Sequence, residues 1–439
     1  MTAGPGHTVL ILGAGLAGLA AAYHLRTRGY AVTVLDHRTW HDTTLLPPLS
    51  APVDLLGCHR ESRALLRALE RSSAAHTDLD IPLEFQLPDG RIVPYRRVAL
   101  PAPLHWVAGL FRFGGLSGRD RWTLFSHLEQ VWEGARLTPS DLDSRVADDW
   151  LISIGQSRQA CDEIWAPLAH WLTGNPLTTL SAAQLVHALS SVFLERAAHA
   201  RLIRLNGTGH DRFLAPLTQT LQQLGTTVAL QTDLPRLRFQ DTDVTGVETT
   251  RDTVLHADWY LSALPHRQLM ALLPERLLTR FAYFSQIGEL EDVAGVTVQL
   301  TCRWQTPAPR LILRSRPPFA QLSVTPTGPD TTHVLLTAIG NPSLQELTDA
   351  ELSTMSGAEL RASLPDISED AIESTAVVRH DRGALSLRPG AAALRPIQRS
   401  PIRNLLVAGA WTDTGWPANI ESALVSANRC ADLVCGKTA

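Results

Sequence analysis

Several features are missing from the sequence, and each absence excludes a class of protein. No run of 18 or more apolar residues occurs, so we expect no membrane-spanning helix. No Lys/Arg-rich tract occurs either, and the formal net charge is −4. Because phosphate binding needs a basic surface, this charge balance argues against nucleic acid as a partner.

Cysteine and metal-binding patterns are also sparse. The 439 residues include five cysteines and 16 histidines, without a Cys-x-x-Cys pair or a histidine spacing typical of metal sites. We therefore predict reduced thiols and no metal centre. The sequence contains neither a Gly-x-Ser-x-Gly turn nor a Cys/His pair that would point to covalent catalysis. The residues before the first apolar strand are too few and too polar for a signal peptide, so we expect a cytoplasmic protein.

The strongest positive feature is a glycine-rich segment near the start of the chain. An apolar strand at residues 8–12 runs into Gly13-Ala14-Gly15-Leu16-Ala17-Gly18 and then into an Ala-rich helix. Gly13 permits the tight turn, Gly15 lets the backbone approach a pyrophosphate, and Gly18 lets the helix pack close to the sheet. Asp36 ends the next strand, where a carboxylate accepts hydrogen bonds from a ribose. The segment therefore predicts binding of an adenine dinucleotide.

The length and pattern of the chain predict more than one domain. A chain of 439 residues exceeds the size at which a single core keeps growing. The α/β pattern of residues 1–53 returns over 206–265 and 400–439, and we predict one discontinuous domain from these stretches. Residues 54–205 have a mostly helical pattern. Residues 266–399 contain recurring β patterns that predict a sheet-containing second domain.

Three segments together resemble the FAD-dependent amine oxidases and carotenoid desaturases. They are the glycine fingerprint, the strand at 257–265, and the run Asn404-Leu405-Leu406-Val407-Ala408-Gly409-Ala410-Trp411. Further details are most similar to the squalene-associated desaturases, also called hydroxysqualene dehydroxylases. The residues that carry this likeness are Leu55-Leu56-Gly57-Cys58, Leu100 to His105, Trp165-x-Pro167-Leu168, and Trp411 to Ala418 followed by Ile420-Glu421. The resemblance extends over essentially the whole chain.

The resemblance implies an α/β fold with a Rossmann-type FAD-binding domain of the glutathione-reductase-like kind and an inserted α+β substrate domain. It implies FAD as cofactor, and hydride transfer between the flavin and a polyisoprenoid such as hydroxysqualene, squalene or a carotenoid. The electron partner stays open. The cofactor-binding residues implied are Gly13, Ala14, Gly15, Leu16, Ala17, Gly18, Asp36, His37, Arg38, Leu234, Ala410, Trp411, Ala418, Asn419 and Ile420.

Two carboxylates of the segment from Trp411 to Glu421, which we call the end motif, are candidates for acid–base chemistry. Asp413 is our catalytic candidate, and Glu421 is a second one. Each has a plainer interpretation: Asp413 as a residue that caps its own loop, and Glu421 as a carboxylate that stabilises the dipole of its own helix.

A long isoprenoid substrate needs an apolar tunnel. The residues predicted to line it are Leu104, Trp106, Phe111, Phe113 and Trp416. Leu110, Trp122 and Phe125 extend this apolar set, and Arg112, Arg119 and Arg121 are suited to lipid headgroups, so peripheral contact with the inner face of the membrane is expected. The alternative is an ordinary hydrophobic core.

The sequence also departs from the pattern of its relatives. The stretch from His37 to Pro48 lacks their second glycine pair, and Ala410 stands where they carry an acid. Val53 replaces a histidine, and Ser422-Ala423-Leu424 replaces a smaller Gly-Ala-Val run. These departures keep a second hypothesis open, namely an FAD-fold protein that has lost redox function and binds or isomerises a lipid. A third hypothesis is a flavin amine oxidase that acts on a small polar amine.

Overall fold

The computed structural model describes residues 7–37, 51–70, 79–102, 104–132, 139–231, 234–249 and 253–436. The strands are, in chain order, β1 (Thr8–Leu12), β2 (Ala31–His37), β3 (Pro52–Leu56), β4 (Leu79–Ile81), β5 (Leu83–Gln86), β6 (Ile92–Tyr95), β7 (Leu202–Thr208), β8 (Thr227–Gln231), β9 (Arg236–Gln240), β10 (Asp243–Glu248), β11 (Val254–Leu255), β12 (Trp259–Ser262), β13 (Asp292–Arg303), β14 (Arg310–Arg314), β15 (Gln321–Pro326), β16 (Thr331–Ile339), β17 (Ile372–Leu385) and β18 (Leu405–Val407).

The helices are, in chain order, α1 (Leu16–Thr27), α2 (Arg60–Glu70), α3 (Leu104–Arg112), α4 (Gly118–Trp132), α5 (Pro139–Asp143), α6 (Ala147–Ser153), α7 (Arg158–Ala160), α8 (Ala166–Thr173), α9 (Ala182–Leu189), α10 (Ala215–Gln223), α11 (His266–Leu272), α12 (Glu275–Arg280), α13 (Ala282–Gly288), α14 (Ser343–Glu346), α15 (Asp349–Ser363), α16 (Ala391–Leu394) and α17 (Ile420–Val434). Single π-helical turns at Cys161–Trp165, Ser190–Leu194 and His210–Leu214 precede α8, follow α9 and precede α10.

A five-stranded parallel sheet carries the glycine fingerprint. Its strand order is β18-β12-β1-β2-β8, so its strands come from three distant stretches of the chain. The strands are apolar on both faces, as expected for a parallel sheet that is covered on both sides. On one face, α1 and α17 pack side by side with α2 and α10 over Val9, Ile11 and Leu406. The fingerprint and the end motif therefore lie at the same carboxyl edge of one sheet, where doubly wound sheets bind ligands.

A seven-stranded sheet forms the second layer, in the order β17-β13-β16-β15-β14-β5-β6. Its pairs are antiparallel except for β5 and β14, which are parallel. Val298, Leu322 and Leu336 are in register on one face, which packs under α15. Phe85, Leu313 and Gln321 are in register on the opposite face, which is directed towards the helices of residues 104–194.

The stretch 54–205, predicted to be mostly helical, contains helices α2 to α9, but it also contains short strands that the prediction did not include. This stretch contains β4, β5, β6 and β7, and β3 also extends into it. Strands β3, β7 and β4 form a small sheet of their own, and β5 and β6 extend the seven-stranded sheet. These strands are short, and three to five residues give a weak periodic signal beside long helices. The division of the chain into domains at the boundaries given above stays a prediction.

None of the described helices combines the length and the apolar character that crossing a membrane requires.

Candidate functional site

The turn after β1 has the geometry that the glycine fingerprint predicts. Gly13 has φ of 101°, and its N–H donates to the Leu35 carbonyl at 2.7 Å. A Cβ added at Gly18 would lie only 1.9 Å from the Gly13 carbonyl oxygen, so the helix approaches the turn too closely for any side chain. A Cβ added at Gly15 would meet no atom of the described residues within 4 Å. Gly15 therefore borders open space at the carboxyl edge of the sheet, where a pyrophosphate can approach the backbone.

The N-terminus of α1 is prepared for an anion. Gly15 is its N-cap residue and provides no side-chain cap, and the first turn contains no acidic residue. Within the described chain, the N–H groups of Leu16, Ala17 and Gly18 have no hydrogen-bond acceptor. Unsatisfied N–H groups together with the positive end of the helix dipole form an anion site.

The predicted cofactor-binding residues outside α1 and the end motif lie in different surroundings. Asp36 is buried at the carboxyl end of β2, and His37 follows it, half-buried. Leu234 is exposed in the short connection between β8 and β9. Arg38, also predicted to contact the cofactor, lies outside the described residues.

The end motif forms a loop between β18 and α17 that is organised by a buried arginine. The Arg395 guanidinium donates to the carbonyl oxygens of Ala410 at 3.0 Å, Thr412 at 2.6 Å and Trp416 at 2.7 Å. Burial lowers the pKa of Arg395 to about 10, while Asp413 acts in the opposite direction. The Trp411 Nε1 atom donates to the Leu264 carbonyl at 3.0 Å and ties the loop to the end of β12. Sequence reasoning missed Arg395, although an arginine before Pro396 in an otherwise apolar stretch was a visible signal.

Asp413 lies on the exposed side of this loop. Its Oδ1 atom accepts a hydrogen bond from the Gly415 N–H at 3.3 Å. This placement favours the loop-capping interpretation of Asp413 over the catalytic one.

Glu421 is buried, with 1% of its surface exposed, and it caps a different helix from the one expected. Its carboxylate accepts from the Glu61 N–H at 2.8 Å, the Ser62 N–H at 2.9 Å and the Ser62 Oγ atom at 2.6 Å. Burial raises the pKa of Glu421, and these hydrogen bonds oppose that rise. Glu421 lies in the first turn of α17, as the helix-stabilising interpretation requires, and its side chain in addition satisfies the N-terminus of α2 and joins α2 to α17.

The N-terminus of α17 leaves two donors available. Asn419 caps its own helix, since its Oδ1 atom accepts from the Ser422 N–H at 3.0 Å. The N–H groups of Ile420 and Glu421 have no acceptor among the described residues. Ala418 and Asn419 are half-buried beside them.

The residues present therefore fit FAD. The uncovered N-terminus of α1 and the open space at Gly15 suit the pyrophosphate, and the N-terminus of α17 suits an electron-rich edge of the flavin ring. When bound, FAD supplies hydride chemistry, and the protein supplies orientation and an environment without water.

A small cavity of about 110 Å3 lies beside the N-terminus of α17. Asn419 and Ile420 line it from that helix, and Gln321, Ser323 and Thr337 line it from the seven-stranded sheet. Its lining residues are buried or half-buried.

The ionisable groups of the small cavity are two histidines and a paired carboxylate. Burial lowers the pKa of both His59 and His170 to about 4. Asp54 is paired with Arg204, whose Nη2 atom lies 2.8 Å from Asp54 Oδ2.

A larger cavity of about 650 Å3 lies over β5 and β6, under the helices of residues 104–194. Most of its lining is aliphatic or aromatic, including Trp106, Phe113, Trp150, Trp165 and Phe193. The polar exceptions among its lining side chains are few, chiefly Tyr95, His127 and Ser190.

The predicted tunnel residues divide between this cavity and the surface. Trp106 and Phe113 line the cavity, and Leu110 lies one helical turn from Trp106 on the same side of α3. Leu104 and Phe111 instead face outwards, 57% and 41% exposed, because the opposite side of α3 carries them. Trp416 does not line the large cavity; its ring makes an edge contact with His59, with centroids 5.5 Å apart.

The two cavities lie over the same face of the seven-stranded sheet. Phe85, which lines the large cavity, is in register with Leu313, and Leu313 is in register with Gln321, which lines the small one. Helix α8 spans both, since Leu168 lines the large cavity and His170 the small one. The large cavity therefore neighbours the small one, whose lining includes the N-terminus of α17.

The described residues contain no group of three or more His, Cys, Asp or Glu side chains placed to hold a metal ion.

The fold and the site define an FAD-binding oxidoreductase. The chain belongs to the flavin-containing amine oxidoreductase family, whose model matches residues 55–435. A model described as FAD dependent oxidoreductase matches residues 8–97. The predicted superfamily, the Rossmann-type fold and FAD as cofactor are thereby confirmed.

The chain is also similar to curated proteins over almost its whole length. A zeta-carotene desaturase of Arabidopsis thaliana is 25% identical, with 98% of this chain and 86% of the relative covered. A 15-cis-phytoene desaturase of Synechococcus elongatus is 23% identical, with 98% of this chain and 96% of the relative covered.

Solved structures share the fold. A putrescine oxidase bound to putrescine has a TM-score of 0.67 at 16% identity, with 98% of this chain and 99% of that chain covered. An oxidoreductase from Methanosarcina mazei has a TM-score of 0.71 at 13% identity, with 97% and 100% covered.

Proposed function

We propose that this FAD-dependent oxidoreductase acts on a long polyisoprenoid such as hydroxysqualene, squalene or a carotenoid precursor. The observation that carries the proposal is the apolar cavity of about 650 Å3, which lies over the same face of the seven-stranded sheet as the small cavity beside the N-terminus of α17. Its volume is within the range of about 300–1,000 Å3 that is usual for ligand sites. Two relatives named as carotene and phytoene desaturases support the same class of substrate.

The lining of the large cavity favours a hydrocarbon over an amine. Burial of apolar surface contributes about 25 cal/mol per Å2 and needs no directional partner, so a flexible isoprenoid chain gains affinity all along such a cavity. Trp106, Phe113 and Phe193 supply broad apolar contact. A small polar amine would require compensation for its charge in this environment.

Two reactions of the proposed class differ in the direction of hydride transfer. Desaturation removes a hydride and a proton from adjacent carbons and leaves a double bond. Dehydroxylation adds a hydride to the carbon that loses its hydroxyl, and that hydroxyl leaves as water after taking up a proton. The first reaction needs oxidised cofactor, and the second needs reduced cofactor.

The test is to mix the FAD-loaded protein anaerobically with phytoene, squalene, hydroxysqualene or putrescine and to record the visible flavin spectrum. We expect phytoene or squalene to bleach the oxidised flavin, or hydroxysqualene to restore the absorption of the photoreduced protein. A spectrum that changes only with putrescine, with release of hydrogen peroxide in air, would identify an amine oxidase. Flavin that binds but responds to none of these compounds would identify the non-redox lipid protein.

We also propose that the protein takes its substrate from a membrane surface through helices α3 and α4. Leu104 and Phe111 of α3 and Trp122 of α4 are large exposed apolar side chains, and the Trp122 ring lies 5.8 Å from that of Phe125. Arg112 and Arg119 are exposed beside them. Arg121 has another role, because it donates to the Phe111 and Leu116 carbonyls. Exposed aromatic residues next to cationic ones suit the membrane interface.

A further inference from the structure

His170 separates two spaces in the protein. Its side chain lines the small cavity beside α17, and it also lines a second cleft of about 280 Å3. That cleft opens to solvent, because Arg158, Asp162 and Thr178 line it and are exposed. Among the described residues that line either space, His170 and Ile339 are the two that line both.

The His170 imidazole is buried, and it lacks the partner expected of a buried polar group. Its Nε2 atom has no hydrogen-bond partner among the described residues. A buried polar group without a partner destabilises the folded protein, so it is rarely kept without a function. Because burial lowers its pKa to about 4, the imidazole is neutral near pH 7 and has one donor and one acceptor nitrogen.

Both reactions of the proposed function exchange one proton between the site and solvent. Desaturation releases a proton from the carbon next to the one that loses hydride. Dehydroxylation consumes a proton when the hydroxyl leaves as water. The small cavity is lined by buried and half-buried residues, so a side chain of this lining that also reaches solvent offers the proton a path.

We propose that His170 carries this proton between the small cavity and the solvent-open cleft. In desaturation, one ring nitrogen takes the proton from the substrate carbon and the other releases a proton to solvent in the cleft. In dehydroxylation the direction is reversed, and the N–H donates to the departing hydroxyl. The inference rests on the proposed function, because it needs a reaction that couples hydride and proton transfer.

The other ionisable groups around His170 are already engaged or face only one space. On the cavity side, Asp54 is paired with Arg204, and His59 accepts from the Leu56 N–H at 3.3 Å through Nδ1. On the cleft side, Arg158 is paired with Asp148 and Asp162.

Two further arginines line the cleft. Arg314 is paired with Glu359, and Arg316 is exposed. Arginine stays protonated throughout the working pH range and is a poor proton carrier. His170 is thus the titratable side chain of the described residues that reaches both spaces.

The test compares His170→Gln with His187→Gln, which changes an exposed histidine on α9 that lines neither space. Flavin content and melting temperature are measured first, and His170→Asn replaces the glutamine variant if that variant does not fold. We expect His170→Gln to retain FAD but to lose roughly 100-fold or more in turnover, the usual contribution of a positioned acid or base. His187→Gln keeps the wild-type rate.

Two further measurements distinguish a proton-carrying histidine from one with only a structural role. Imidazole added to His170→Ala is expected to restore turnover through the open cleft, and the wild-type solvent isotope effect is expected to shrink in His170→Gln. Wild-type turnover in His170→Gln, with an unchanged isotope effect, would overturn the proposal. Absence of turnover in the wild-type protein with phytoene, squalene and hydroxysqualene would instead overturn the proposed function.

A labelling experiment, which needs no substrate, tests whether His170 can be reached from the cleft. Diethyl pyrocarbonate acylates accessible neutral imidazoles, and peptide mass spectrometry locates the label. We expect rapid label on the exposed His187, slower label on the buried His170, and none on His59, which does not line the cleft. Full labelling of His187 with none on His170 would contradict access from the cleft.

Discussion

At the scale of single residues, the two glycines at the start of α1 have different physical roles. Gly18 is required by close packing, since a Cβ there would lie 1.9 Å from the Gly13 carbonyl oxygen. Packing does not require Gly15, since a Cβ there would meet none of the described atoms within 4 Å, and we infer that the ligand requires it. One substitution therefore tests folding, and the other tests cofactor binding.

We expect Gly18→Ala to destabilise the protein by about 1–3 kcal/mol, the usual cost of overpacking, or to prevent folding. Gly15→Ala is expected to fold normally and to bind FAD at least tenfold more weakly, because its methyl group occupies the approach of the pyrophosphate. The matched control is Gly118→Ala at the start of α4, where an added Cβ also has open space. Thermal melting and FAD titration separate the effects. Equal FAD affinity in Gly15→Ala and Gly118→Ala would show that the pyrophosphate lies elsewhere.

The residue scale also shows what local sequence can and cannot predict. The conformations of Gly13 and Gly18 follow from the motif itself, because strand, turn and helix are adjacent in the chain. The hydrogen-bond partners of Glu421 do not follow from a local motif, because Glu61 and Ser62 lie 360 and 359 residues away in the sequence. A carboxylate near a helix start predicts helix capping, but only the tertiary structure decides which helix is capped.

At the scale of secondary-structure elements, α3 illustrates the same limit. The apolar run at 101–113 predicts a helix, and α3 is observed at Leu104–Arg112. Because apolar residues occur around most of the circumference of α3, the sequence does not indicate which side of the helix faces a cavity. In the structure, Trp106 and Leu110 face the cavity, whereas Leu104 and Phe111 face outwards.

The exposed apolar side chains of α3 and α4 predict that the protein binds to membrane surfaces. We expect the triple variant Leu104→Ser, Phe111→Ser and Trp122→Ser to bind anionic phospholipid vesicles at least tenfold more weakly than the wild type. The reason is that each large apolar side chain contributes about 1.5–3 kcal/mol on leaving water. The control is Ile152→Ser, which removes an exposed apolar side chain from α6. Co-sedimentation with vesicles measures the binding, and equal binding of triple variant and control would exclude this surface.

At the scale of the whole molecule, the parallel sheet was predictable and the cavities were not. Its strands are apolar runs next to recognisable turns, so stretches near residues 8, 259 and 405 could be assigned to one Rossmann-type domain. The cavities are formed by side chains from strands and helices far apart in the chain. Phe85 and Leu168, for example, line the large cavity together although neither is part of a motif that specifies the other.

The most direct test of the large cavity as the substrate site is to fill it. Ser190→Trp places a bulky ring among its lining residues, and Ile152→Trp adds the same ring at an exposed position on α6. Both variants are loaded with FAD and mixed anaerobically with the isoprenoid to which the wild-type flavin responds. We predict that Ile152→Trp keeps the wild-type rate of the flavin absorbance change, and that Ser190→Trp loses at least tenfold at equal flavin content. A wild-type rate in Ser190→Trp would contradict the assignment of this cavity to the substrate.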